Sequence, residues 1–214
     1  MKIKILNLYS GIGGNTKNWD RKKYDVTSIE YHNGIGSAYN HFFPEDKILI
    51  EDAHEYLLKN YKNYDFIWTS PPCQTHSDIR RMGAVAGMYD AKFPDMNLWQ
   101  EIVFLKHFFK GGWVVENVKP YYEPFVKPDK IIGRHYIWSN IKIPDLLIDE
   151  SLNIRKKGMT GYGFDLTNIK TGHRKDQIIR NLVNPVIGEH ILKAWEEKRK
   201  EKEIEAPTLF NELN

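Results

Sequence analysis

Short apolar runs recur through the first 118 residues at intervals that leave room for one helix between each pair. "KIKILNLYS" (2–10), "YDVTSIEY" (24–31), "DKILIED" (46–52), "YDFIWTS" (64–70) and "GGWVVENV" (111–118) predict strands. Between them, "NTKNWDRKK", "GIGSAYNHFF", "AHEYLLKNY" and "NLWQEIVFLKHFF" predict helices, the last two with apolar residues at i, i+3 and i+4. Near-continuous apolar strands alternating with helices predict an α/β fold whose mostly parallel sheet is covered on both faces.

The stretch from Thr75 to Asp95 breaks this rhythm. It carries Arg80, Arg81, Gly83, Gly87 and two Met with no clean period, and so predicts a long functional connection of the lid type. After Val118 the chain turns Pro-rich and returns to an apolar segment, "RHYIWSNIKI". A Gly-rich loop at 158–165, a helix near 173–181 and a last helix from about Ile187 into "KAWEEKRKEKEIE" complete the pattern. The expected organisation is one compact domain: a core over 1–140, a short variable segment over 141–180, a helix over 181–205 returning to the core, and a frayed tail over 206–214.

Composition narrows the classes. At 214 residues the chain suits one ordinary domain, and six Trp, twelve Tyr and ten Phe argue against disorder. A formal charge of +3 tolerates a nucleic-acid partner without demanding one. A single cysteine excludes an internal disulfide and any multi-cysteine zinc site, so no metal is expected, and it suits a reducing cytoplasm. The N-terminal apolar stretch meets glycines too early for a signal peptide, and no run reaches membrane-spanning length. A cytoplasmic monomer with no membrane contact is the expectation.

Two clusters carry chemistry. In "LNLYSGIGG" a glycine-rich turn follows the first strand directly, which lets backbone approach a ligand beside a helix N-terminus. The absence of GKS or GKT disfavours a phosphate-gripping loop. Glu30 ends the second strand, where a carboxylate can take both hydroxyls of a ribose, and Asp52 ends the third, where it can accept from an adenine amino group. Each reads equally as a surface or capping acid, but together they favour an adenosine-containing cofactor. The second cluster is "SPPCQTHS" (70–77), which holds the lone cysteine. Free cysteine packs as a small hydrophobe in most proteins. Cys73, however, stands just past the fourth strand in a Pro-stiffened turn, on the same edge as Glu30 and Asp52. Glu116 ends the fifth strand on that edge too, where an acid beside a thiol in a closed pocket could deliver a proton near neutrality.

These motifs, in this order, resemble the cytosine-C5 DNA methyltransferase family, short phage-encoded members in particular. "LYSGIGG" resembles the first family motif, "SPPCQTHS" the Pro-Cys-Gln motif, "ENV" (116–118) the glutamate motif, "GRHYIWS" the arginine motif and "RNLVNPVIGEHIL" the final motif. The resemblance implies a Rossmann-like class I methyltransferase fold, a doubly wound sheet with helices on both faces. It implies S-adenosyl-L-methionine as cofactor, S-adenosyl-L-homocysteine as product, and flipped-out cytosine in DNA as substrate. Cofactor contacts are implied for Tyr9, Ser10, Gly11, Gly13, Gly14, Glu30, Tyr31, Asp52, Ala53, Pro71 and Asn184. Cys73 is implied to add to cytosine C6, Glu116 to protonate N3 and Arg134 to hold O2, with Gln74 and Asn117 in the same catalytic motifs and Asn117 ordering the nearby loop. Ser77, Arg80 and Arg81 would grip DNA phosphate, or stand as plain exposed polar residues. Restriction protection and phage genome modification both fit.

The chain departs from the family pattern at His76, at the Pro71–Pro72 pair, at Ile132 in place of the first arginine, and at Val183–Asn184 in the final motif. The largest departure is the short stretch between the arginine and final motifs, which leaves the target-recognition domain absent or minimal. Over 141–180 it holds eight Lys and Arg (142, 155, 156, 157, 170, 174, 175, 180) against five acids (145, 149, 150, 165, 176), a surplus of three positive charges. That predicts phosphate contact with a short or relaxed recognition sequence, or a separate specificity or clamp-type partner. Three rivals stay open: a DNA amino-methyltransferase, a tRNA cytosine-C5 methyltransferase, and a catalytically silent cofactor- or DNA-binding phage factor.

Overall fold

The computed structural model describes residues 1–88, 90–148 and 160–205. One seven-stranded sheet runs through it in the order β3-β2-β1-β4-β5-β7-β6. β1 (Ile3–Leu8), β2 (Tyr24–Glu30), β3 (Lys47–Ile50), β4 (Phe66–Thr69) and β5 (Gly112–Val118) are parallel. β6 (Lys130–Ile132) and β7 (His135–Ser139) close one side as an antiparallel hairpin, with β7 antiparallel to β5. The order reverses at β1, whose neighbours are β2 and β4, so their carboxyl ends frame the crevice where such sheets bind ligands.

Alternate residues of the central strands feed opposite faces. Ile5, Val26, Phe66, Trp68 and Val114 pack with Ile187, Ile191 and Trp195 on one face. Leu6, Leu8, Ile29, Ile67 and Val115 pack with Leu57, Leu98, Ile102 and Leu105 on the other. The second face is covered by α2 (Ala53–Asn60) and α4 (Asn97–Phe108), while α1 (Asn33–Phe42) lies over β2 and β3. The closing helix α6 (Pro185–Glu205) covers the first face. A Cβ on Gly112 would lie 2.2 Å from Trp195 Nε1, so that helix is seated directly on the strand.

Three sequence expectations are corrected. "NTKNWDRKK" is not a helix but a succession of turns bonded i to i+3. Its polar side chains serve other partners: Asn15 Nδ2 donates to Asn7 Oδ1, Thr16 Oγ1 to the Gly13 carbonyl, and Arg21 to the carbonyls of Thr16 and Trp19. Helix bonding would need those carbonyls, and the competition favours turns. Within the expected lid lies a helix, α3 (Asp78–Val85), capped by Ser77 Oγ. Its base is fixed, because Ser77 bridges to Pro120 and Asp95 N donates to Thr75 Oγ1. Finally, β3 ends at Ile50, two residues short of Asp52.

The described residues of the 141–180 segment are used largely for packing. A small hairpin of β8 (Thr160–Gly161) and β9 (Phe164–Asp165) turns through Tyr162 and Gly163, both at positive φ. It leads through Leu166 to α5 (Lys175–Arg180), and Phe164, Leu166, Ile178 and Ile179 pack with Ile12, Ala38, Tyr39 and Phe43. Residues 149–159, with Asp149, Glu150, Arg155, Lys156 and Lys157, and the 206–214 tail lie outside the described residues. Among the described residues no helix is long and apolar enough to cross a membrane.

Candidate active site

The turn after β1 is shaped by backbone conformations that side chains rarely adopt. Tyr9, Gly11 and Gly13 have φ of 53°, 55° and 84°. Gly13 and Gly14 are demanded by packing, since a Cβ would meet Phe43 Cε2 at 2.5 Å and the Val183 carbonyl oxygen at 2.6 Å respectively. Gly11 differs: nothing lies within 4 Å of its missing Cβ, so its surface faces open space. Tyr9 pays for its backbone with its hydroxyl, which donates to Glu101 Oε1 at 2.7 Å.

Glu30 completes this half of the edge. Its Oε2 accepts from Gly11 N and its Oε1 from His32 N, both at 3.0 Å, so the carboxylate is held against the glycine turn while one lone pair on each oxygen remains. Tyr31 beside it is 70% exposed, an aromatic face available to a flat ring. Ser10 Oγ is buried with no hydrogen-bond partner, an arrangement folded proteins rarely leave unfilled. An open glycine turn, an orphan hydroxyl, an anchored carboxylate and an exposed aromatic ring together suit the polar and aromatic parts of an adenosine-type cofactor. Asp52 takes the plainer of its two roles for one oxygen, capping α2 by accepting from Glu55 N at 2.9 Å. Ala53 is buried in the first turn of that helix. Asn184 is buried and caps α6 through Val186 N, and its neighbour Val183 touches Gly14.

Across the crevice, Pro71 and Pro72 lead into a single 3₁₀ turn, Cys73–Thr75. Asn117 Nδ2 donates to the Pro71 carbonyl at 3.0 Å, so the asparagine after Glu116 orders the Pro-Pro-Cys turn itself. The Cys73 carbonyl accepts from His76 N and Ser77 N, which fixes the turn from its other side. Cys73 is half-buried. Burial pushes its pKa up, the Glu116 charge adds to that, and the Arg134 charge opposes it. Cys73, Glu116 and Arg134 are therefore electrostatic neighbours, from the turn after β4, from β5 and from the β6–β7 turn. Glu116 is buried, and its Oε1 lies 2.5 Å from His135 Nδ1. Arg134 follows Gly133, at φ 55°, and its Nη2 donates to the Arg180 carbonyl at 2.9 Å.

The remaining expected residues stand at the rim. Gln74 is exposed in the Cys73 turn. Ser77 is engaged as the α3 cap, Arg81 lies 3.5 Å from Asp78 and over the Tyr121 ring, and Arg80 is half-buried. His76, read only as a departure, is fully buried with Nδ1 2.5 Å from Tyr122 Oη, and burial lowers its pKa.

Two features had no place in the sequence reading. One is His135. The other is Glu101, wholly buried in α4, which accepts from Tyr9, from Thr69 Oγ1 at 2.6 Å and from His54 Nδ1 at 3.1 Å. It joins the ends of β1 and β4 to the start of α2 beneath the crevice. A signal for Glu101 existed: it falls on the Leu98–Ile102–Leu105 face of its helix, where an acid is out of place.

Residues 3–122 match the family model described as "C-5 cytosine-specific DNA methylase". The chain is 39% identical over 80 residues to a tRNA (cytosine(38)-C(5))-methyltransferase of Spodoptera frugiperda, a match covering 35% of this chain and 24% of that one. It is 31% identical over 121 residues to the type II methyltransferase M.FnuDI of Fusobacterium nucleatum, covering 55% and 33%. The matches thus span a third or less of the length of either relative. A solved structure of a Spodoptera frugiperda DNMT2 variant aligns at 27% identity and a TM-score of 0.40, over 55% of this chain and 36% of the other.

Proposed function

The chain belongs to the C-5 cytosine-specific DNA methylase family, and we propose that it methylates C5 of cytosine in DNA through a covalent bond between Cys73 and C6. The observation that carries this reading is the neighbourhood of Cys73, Glu116 and Arg134 on the carboxyl edge, across from the open glycine turn.

S-adenosylmethionine is the family's cofactor and supplies an electrophilic methyl group. In this reading Ser10 and Gly11 receive its polar chain, Glu30 its ribose hydroxyls and Tyr31 the face of its adenine, with Asp52, Ala53, Pro71 and Asn184 around them. The protein's own part is to make C5 nucleophilic. Cys73 sulfur bonds to C6, and the displaced electron pair moves through the ring to N3, which takes a proton from Glu116. Arg134 stabilises charge at O2. After methylation the C5 proton leaves to water, the S–C6 bond breaks, and N3 returns its proton to Glu116. Burial and the Glu116 charge hold the Cys73 thiol pKa up while the Arg134 charge opposes them, so Arg134 is a group that favours the attacking thiolate. The target base reaches such a pocket only by leaving its stack.

A second reading is favoured by one observation, the 39% identity to a tRNA cytosine methyltransferase. Substrates separate the two. Duplex DNA and tRNA, each containing 5-fluorocytosine, are incubated with protein and cofactor, and covalent adducts are resolved beside a Cys73→Ala control. An adduct with DNA alone is expected; an adduct with tRNA alone overturns the DNA assignment, and none with either overturns the reaction. Because so much of the 160–180 segment is used in packing, a short or relaxed target sequence is proposed, which mapping 5-methylcytosine in cells expressing the protein reads directly.

A further inference from the structure

On β5, Glu116 shares a face with Val114, and on β7, His135 shares one with Ile137; Val114 and Ile137 belong to the same apolar cluster. The register pairs Glu116 with Ile137 and Val118 with His135, so the two polar side chains are diagonal neighbours at the open end of an otherwise apolar face. His135 is 3% exposed and Glu116 6%. Burying an imidazole and a carboxyl here costs desolvation that an aliphatic pair would avoid. Packing alone therefore does not account for them.

We propose that His135 is a positioning residue for Glu116, fixing its carboxyl toward Cys73 and stabilising it once its proton has passed to the pyrimidine ring. The inference rests on the methyl-transfer reading above. The 2.5 Å contact engages Oε1; in the proposed role Oε2 is the oxygen that meets the base. When Glu116 gives its proton to N3, a carboxylate is left in a buried site. An N–H at His135 Nδ1 then makes a charge-assisted hydrogen bond to it, of the kind that strengthens as the charge develops. No bond to His135 forms or breaks, and the proton given to N3 returns to Glu116 when Cys73 departs.

The test uses the full chain, DNA containing 5-fluorocytosine and saturating cofactor. His135→Phe keeps the bulk and loses the hydrogen bond; His135→Gln keeps a donor. Adduct formation is expected to slow on the order of 10- to 100-fold in His135→Phe, a part of what a general acid contributes. The Gln variant should recover most of the rate, and cofactor affinity should stay within about twofold in both. In a Glu116→Gln background, His135→Phe should cost less than about twofold more, because the two residues act as a unit. An unchanged rate in His135→Phe, or a full additional loss in the Glu116→Gln background, overturns the proposal. Should the Phe variant fail to fold, His135→Asn takes its place, since its shorter amide cannot reach Glu116 and should trap more slowly than Gln; equal rates overturn the proposal. A wild-type protein that traps neither DNA nor tRNA overturns the underlying reaction, and that result is read before any substitution.

Discussion

His54 with Glu101, and His135 with Glu116, join the same two side-chain types at 3.1 and 2.5 Å on opposite faces of one sheet. Glu101 is closed off. Three donors from β4, α2 and the glycine turn converge on it, and its exposure is zero. Glu116 stands at the crevice with Cys73 and Arg134 as electrostatic neighbours. A carboxylate whose acceptor sites are met from within holds strands together; one with a site left toward an opening can exchange a proton. The difference lies in the partners, not in the residue types.

Substitutions should divide accordingly. The largest effect is expected at the open pair: Glu116→Gln should lower the methylation rate by roughly 10²- to 10⁴-fold, with little change in thermal midpoint. If Glu116→Gln forms the adduct at the wild-type rate, the comparison fails. Next comes the closed pair. Glu101→Ala strands Tyr9, His54 and Thr69 and should cost about 3 kcal/mol or more of stability in denaturant titration. Unchanged stability would mean that the network holds nothing.

Acidity sharpens the contrast further. The hydrogen bond that His54 donates to Glu101 raises the His54 pKa above its ordinary 6.5, with burial opposing. A raised value in the folded state contributes stability that is fully present below 6.5 and is lost as pH rises through the folded value. Wild-type stability should therefore fall over that window more than that of His54→Gln, as read by thermal melts at a series of pH values. Cys73 should alkylate with iodoacetamide only as pH passes above the ordinary thiol value of 9.0, because burial and Glu116 both raise its pKa. Glu116→Gln should move that profile to lower pH and Arg134→Ala to higher; the opposite order would remove Glu116 from the neighbourhood of the thiol. The smallest effect is expected at the rim, where Arg81→Ala, exposed and only loosely paired with Asp78, should change stability by less than about 0.5 kcal/mol.

The sheet was legible because β1, β2, β4 and β5 are buried on both faces, which writes them as largely apolar runs such as Phe66–Thr69. α3 was not: among its described side chains Met82 and Val85 are 61% and 80% exposed, and its Ser77–Asp78 cap was the signal that hinted at it. Cys73 and Glu116 could be placed on one edge because one follows β4 and the other lies near the carboxyl end of its parallel neighbour β5. His135 could not, since its partner depends on the register of an antiparallel pair joined by a long connection. Asp52 illustrates a third case, in which one carboxylate has a local duty as a cap whatever else it binds.

The contact between Gly14 and the Val183 carbonyl, with that between Gly188 and the Asn15 backbone, has a bearing on how the molecule is held together. Near its start the chain holds a loop that its own last helix must clasp. The apolar strands alone leave that loop unsupported, so its backing is complete only when Pro185–Glu205 is seated against the Asn15 backbone through Gly188.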